Sequence, residues 1–408
     1  MKLKLNLIAV AMVLTAGAAM AQTQGVSKNE ITLGSIQDLS GPLAGFGKQV
    51  RLGMMLRVDE ANEQGGINGR KFKLLVEDSA YDPRRAVLAA QKLVNQDKIF
   101  AMIGHIGTAQ NMAAMPVQFQ KNVINFFPVT AAREMYEPFH KLKYSFAATY
   151  YDQMRLGLPI LVKEKNAKQI CAMHQDDEFG LEVFRGAEEG LKSMGMQFAE
   201  VTTYKRGATD FASQMQKLAS SKCDFVVMGT IIRETIGGVA TARRLGFNPT
   251  FLGSSAAYTD LIHKLGGPAM NGFYATMSTQ HPYLDEVAQP IRFWANKYKT
   301  KFNEDATVFS VYGYLIINTF ANAATKAGKN HTAKLSAFTA IRSRAGGADW
   351  PISAISFPSN NATSEACRAS NTPSGVARHG IARITKDVPT RFSKALIRCE
   401  MAEGVTPN

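Results

Sequence analysis

Three short runs in the chain hold residue types that could grip a small anion. Ser40-Gly41-Pro42-Leu43-Ala44-Gly45-Phe46-Gly47 supplies glycines, which let backbone approach a ligand, and an apolar wall in Phe46. Gly104-His105-Ile106-Gly107-Thr108 sets a hydroxyl at the start of an expected helix. The first amides of a helix have no partner within it, so hydroxyl and amides together suit a carboxylate. Phe127-Pro128-Val129-Thr130-Ala131 offers a second hydroxyl and further amides to the same group. Each run alone reads as a helix cap or a turn; three at one sheet edge read as a binding cleft. Signals for catalysis are missing from the sequence. It has no Walker phosphate loop, no glycine-rich dinucleotide fingerprint after a strand, no paired-histidine metalloprotease helix, no CxxC and no nucleophile elbow. The seven histidines are scattered. Asp176-Asp177-Glu178 has the composition of a metal site, but it stands where a helix begins, and acidic residues there favour the helix dipole. The expectation is a binding protein with no catalytic group, no metal and no cofactor.

The elements that must position these runs alternate between strand and helix. Strands are expected at 31–36, 72–76, 99–103, 123–127, 169–173, 198–203, 225–228 and 250–252. Between them, helices are expected around Val50, Met54, Val58 and Ala61, and at 84–97, 109–120, 181–194, 211–219 and 232–245. Short apolar strands between amphipathic helices imply parallel sheets covered on both faces. The pattern restarts near residue 150, which gives two similar α/β units. The helix-forming stretch 287–327 is too long for a linker and is assigned to the first unit. The expected division is lobe 1 at 29–148 plus about 279–360, lobe 2 at 149–278 plus part of the tail, and a divergent C-terminal tail at 361–408. The tail is rich in Ser, Asn and Pro and weakly periodic, with Trp350 and the run 352–357 as its main apolar features.

The 408 residues carry 46% hydrophobic and 20% charged residues, as ordinary globular chains do, which excludes global disorder and a collagen or coiled-coil fibre. The formal net charge of +14 is spread thinly, so nucleic acid is not an expected partner. Lys2 and Lys4 precede an apolar run at 5–18 and the small-x-small site Ala19-Met20-Ala21, which together read as a secretory signal peptide cleaved after Ala21. The product is expected in the periplasm, as a monomer. Four cysteines exclude a disulfide-dense scaffold. Cys171 and Cys223 begin predicted strands and are expected as buried thiols, while Cys367 and Cys399 are candidates for a disulfide in the tail.

Several motifs occur in a telling order: Gly34-Ser35-Ile36 with Leu39-Ser40-Gly41-Pro42, then Asp59-Glu60-Ala61-Asn62 with Gly65-Gly66-Ile67-Asn68-Gly69, then Asp78, Asp82-Pro83 and Ala86, then Ile103-Gly104-His105. Phe179-Gly180 and Gly207 with Asp210-Phe211 continue it. Over roughly 29–328 the chain resembles the branched-chain amino acid type of periplasmic binding protein, the leucine/isoleucine/valine-binding proteins of ABC importers. The resemblance implies two Rossmann-like lobes joined by a hinge of three crossovers, with a small carboxylate ligand held between them and delivered to a membrane permease. It implies that Thr108 and Val129-Thr130-Ala131 hold the carboxylate, and that Phe46 and Phe179 flank the ligand. The chain departs from the pattern at Ile231, where an aromatic is missing. The acid that pairs with an amino group should follow 251–253, where this chain has Ser254, Ser255 and, further on, Tyr258. Phe46, Phe179 and Tyr258 would then line a pocket for keto, hydroxy or aromatic acids better than for amino acids. Asp260, Glu234, Asp176 and Asp177 are the acids that could replace the missing one. The first-lobe disulfide of the family falls on Tyr81 and Gly107 and is absent. Two competing readings are a ligand-sensing periplasmic receptor domain and an exported α/β hydrolase-like enzyme.

Overall fold

A computed structural model describes residues 23–328 and 380–384. The expected signal peptide, Trp350, the run 352–357 and the Cys367–Cys399 pair lie outside the described residues. In the first lobe, β1 (Glu30–Gln37), β2 (Lys71–Asp78), β3 (Ala101–Ile103), β4 (Ile124–Phe126) and β5 (Lys143–Tyr144) form one sheet in the order β2-β1-β3-β4-β5. All its pairings are parallel. The second sheet contains β6 (Ile170–Gln175), β7 (Glu200–Tyr204), β8 (Phe225–Gly229), β9 (Thr250–Gly253), β10 (Phe273–Met277) and β11 (Gly380–Ile384), in the order β11-β10-β9-β8-β6-β7. Here too the strands run parallel, except that β11 joins the edge antiparallel to β10. Read from the other edge, the second sheet repeats the order of the first. The expected α/β architecture with two Rossmann-like lobes is what the structure has.

Ten α-helices cover the sheets among the described residues: α1 (Ala44–Glu63), α2 (Pro83–Gln91), α3 (Thr108–Gln120), α4 (Tyr150–Lys165), α5 (Glu178–Lys192), α6 (Ala212–Ser220), α7 (Ile232–Arg244), α8 (Leu261–Gly266), α9 (Gln289–Phe302) and α10 (Val308–Ala327). Four of the starts carry a side-chain cap. Asp82 accepts from the amides of Arg84 and Arg85 ahead of α2, with Pro83 at the first helical position. Asp177 does the same for Phe179 and Gly180 in α5, so the Asp176-Asp177-Glu178 run is a helix start. Thr307 and Ser310 form a reciprocal capping box on α10. The expected helix 84–97 is interrupted: α2 ends at Gln91 and Lys92–Gln96 continues as a π turn.

The chain passes from β5 to α4, and again from β10 to α9, between the two sheets; a third passage, between α10 and β11, falls on residues outside those described. One continuous apolar core runs through both lobes, taking in Val50, Ile103, Phe126 and Ile316 on one side and Ile170, Phe225 and Leu252 on the other. A second cluster lies within the second lobe and includes Cys171 and Cys223. These two cysteines form a disulfide and are not free thiols, which corrects the expectation from sequence. β6 and β8 are neighbours, Cys171 pairs in register with Val226, and Cys223 enters β8 with its Cα 5.9 Å from that of Cys171, within bonding reach.

Candidate functional site: an aromatic cleft between the lobes

In a doubly wound sheet, the loops at the carboxyl ends of the strands open a crevice where the strand order reverses. Both sheets turn this edge toward the same cavity. From the first come Leu43 and Phe46 after β1, Tyr81 after β2, Gly107 and Thr108 after β3, and Val129 to Ala131 after β4. The second contributes Phe179 after β6, Ile231 after β8, and Ser255 with Ala256 after β9. Phe146, Ala147 and Tyr150 come from the first passage between the lobes, and Phe309 and Tyr312 from the start of α10. The space between these residues, counted out to the open mouth and including solvent there, is about 570 Å³.

Its polar end is built from the β3 and β4 loops. Gly107 stands at the N-terminus of α3 with φ of +93°, a conformation that L side chains rarely adopt, and a Cβ there would lie 2.9 Å from the Tyr81 ring. Thr108 is therefore the first residue of the helix, not its cap. The Thr108 and Thr130 hydroxyls are hydrogen-bonded to each other at 2.7 Å, both buried, which leaves one of the two O–H groups free. The loops are braced from behind. Asn111 donates 2.7 Å hydrogen bonds to the carbonyls of His105 and Gly107, Gln110 donates to the Tyr81 carbonyl at 2.6 Å, and the Val129 amide donates to His105 at 2.9 Å. No side chain caps α3, as none caps α1 or α7, which also begin at the cleft, whereas α5 and α10 are capped by Asp177 and Thr307. The free amides and the positive dipole end of α3 thus stand beside the hydroxyl pair, a setting that favours an anion.

Rings make up much of the remaining wall, with the Tyr150 phenol beside Thr130. Phe46 stacks on Phe309 at 3.6 Å between centroids, Phe309 meets Tyr312 edge-on at 5.7 Å, and Tyr150 meets Phe179 edge-on at 5.2 Å. Burial raises the Tyr150 phenol to about 12 and raises the Tyr81 and Tyr312 phenols, so all three stay neutral donors. On the second-lobe side, Gln153 of α4 accepts from the Ser255 amide at 3.0 Å and from the Thr276 hydroxyl at 2.9 Å, which fixes the loop after β9.

The structure brings together eight of the ten residues expected from sequence: Phe46, Thr108, Val129, Thr130, Ala131, Phe179, Ile231 and Ser255. His105 is outside the lining. It is fully buried beneath the loop, and burial pushes its imidazole down to about 3. Tyr258 is also outside the lining, packed against the apolar clusters of the second lobe. Missed from sequence were Tyr81, Phe146, Tyr150, Phe309 and Tyr312. Tyr150 and Phe309 stand at helix starts, a position that could have signalled them; Phe146 sits in a connecting segment with no periodicity to read.

A family model described as periplasmic binding protein matches residues 30–360. The chain is 23% identical over 291 residues to the leucine-, isoleucine-, valine-, threonine-, and alanine-binding protein of Pseudomonas aeruginosa, covering 71% of this chain and 77% of that one. It is 26% identical over 322 residues to an amino acid binding protein of the same organism, covering 78% and 84%. Among solved structures, a fatty acid ABC transporter substrate-binding protein from Thermomonospora curvata superposes with a TM-score of 0.71 at 23% identity, covering 78% of this chain and 82% of that one. Among the described residues, no helix is long and apolar enough to cross a membrane. The match over most of the chain and the shared two-lobed fold make this protein a member of the periplasmic binding protein family, a binder of small solutes and not an enzyme.

Proposed function

We propose that the protein captures a small carboxylate-bearing solute between its lobes in the periplasm and delivers it to the membrane permease of an ABC importer. The observation that carries this reading is the pair of buried hydroxyls, Thr108 and Thr130, at the uncapped start of α3. A carboxylate there accepts a hydrogen bond from the hydroxyl that the Thr108–Thr130 bond leaves free and from the free amides, and meets the positive end of the helix dipole, so its charge needs no cationic side chain. Export through a cleaved leader and a monomeric state belong to the same proposal.

Thr108→Val tests it, because the substitution keeps the shape and removes one donor. A hydrogen bond to a charged group contributes about 1.5–3 kcal/mol, so affinity for the tightest-binding acid is expected to fall about tenfold or more by calorimetry. Unchanged affinity in a folded variant removes Thr108 from the site.

A further inference from the structure

We propose that the bound solute is an apolar monocarboxylate without an amino group. This rests on the carboxylate reading above and adds what the remainder of the cavity excludes. Among the described residues lining it, none carries a charge. One end offers donors to an anion, Thr108, Thr130 and the first amides of α3; no carboxylate lies among the lining residues to receive a cation. An ammonium closed into this space would lose its water and find no opposite charge, which is costly in a site of low dielectric.

Of the four acids that could replace the missing one, three are engaged elsewhere. Asp177 caps α5 and pairs with Arg206 at 2.5 Å, Asp176 pairs with Lys205, and Asp260 pairs with Lys264 at 2.6 Å. Glu234 remains. It sits in the first turn of α7, buried, with Oε2 unpartnered among the described residues and Arg233 at 4.0 Å. Glu234 is not part of the cavity wall, so an α-ammonium, held beside the bound carboxylate, has no side-chain carboxylate in the lining to meet. What the wall presents instead is Phe46, Phe309, Tyr312, Tyr150 and Phe179, which suit an apolar tail of ring or branched-chain size.

The test uses matched pairs on the wild-type full chain by calorimetry: 3-phenylpropanoate against phenylalanine, 4-methylpentanoate against leucine, and 3-phenylpropanoate against its primary amide. The expected result is that at least one deaminated acid binds tenfold or more tighter than its amino-acid partner, the two pairs distinguishing a ring from a branched chain. Phenylalanine or leucine binding as tightly as the deaminated acid overturns the proposal, as does tight binding of a betaine, in which the rings would hold a cation. An amide that binds as tightly as its acid overturns the carboxylate reading instead. If neither acid binds a protein that shows a cooperative unfolding transition, the proposal falls as well. In Glu234→Gln the acid is expected to bind within twofold of wild type; a tenfold loss would place Glu234 in the site and overturn the argument.

Discussion

His105 shares a loop with Thr108, yet it does different work. Its imidazole is wholly buried, and neither ring nitrogen has a partner among the described residues. Burial lowers its pKa from 6.5 to about 3, so it stays neutral in the fold. Between those values the unfolded chain binds the extra proton, and stability is lost as pH falls from about 6.5, by at most about 1.4 kcal/mol per pH unit. His174 and His281 are lowered by burial too and act in the same direction. Asp38, Glu134 and Glu234 are raised by burial and act oppositely: their protonation at low pH relieves a cost. His105→Leu is expected to reduce the loss of stability between pH 6.5 and pH 5 by about 2 kcal/mol in urea titrations. An unaltered pH dependence would mean that His105 is accessible to protons in the folded state. Thr108, Thr130 and Phe46 were legible in the sequence because strand-end loops project into a crevice regardless of detail; Phe179 came only from the family resemblance. His105 was misplaced because residue type suggests chemistry, while its burial depends on packing that spacing does not show.

At the scale of elements, legibility followed periodicity. Apolar runs such as 31–36 and 225–228 correspond to β1 and β8, because a strand buried on both faces must be apolar throughout. α4 escaped notice: Pro159 interrupts its pattern, and its start is marked only by Thr149, which accepts from the Asp152 amide. β10 and β11 were also missed. β11 reads as Gly-Ile-Ala-Arg-Ile in a segment otherwise without pattern, and its pairing with β10 spans about a hundred residues of chain. The Cys171–Cys223 bridge depended on β6 lying beside β8, which spacing alone does not dictate. It closes a 52-residue separation, and by loop-entropy arguments such a link contributes about 4 kcal/mol.

For the whole molecule, the question is what holds two lobes together around a solute. Arg133, after β4, and Glu182, in α5, join the walls of the cleft. The Arg133 guanidinium donates to Glu182 at 2.8 Å and the Arg133 amide donates at 3.2 Å, and Glu182 is 1% exposed. The Tyr151 ring lies under the same guanidinium at 3.9 Å. Tyr81 and Arg206 meet across the lobes at 5.4 Å. If the lobes part to admit the solute, this pair is broken, so we expect it to favour the closed form. Glu182→Gln keeps the shape and removes the charge; it is expected to speed solute release about tenfold in stopped-flow measurements, with little change in association. Equal release rates would show that the pair persists in the open form. The central claim, capture of a carboxylate solute between the lobes, is tested most directly by a thermal-shift screen of the protein against amino acids, aliphatic acids and aromatic acids. A true ligand at 100 times its Kd adds about 2.7 kcal/mol and raises the midpoint by several degrees. The account predicts such a shift for at least one carboxylate and none for its primary amide at the same concentration. A cooperative transition that no carboxylate moves would contradict it.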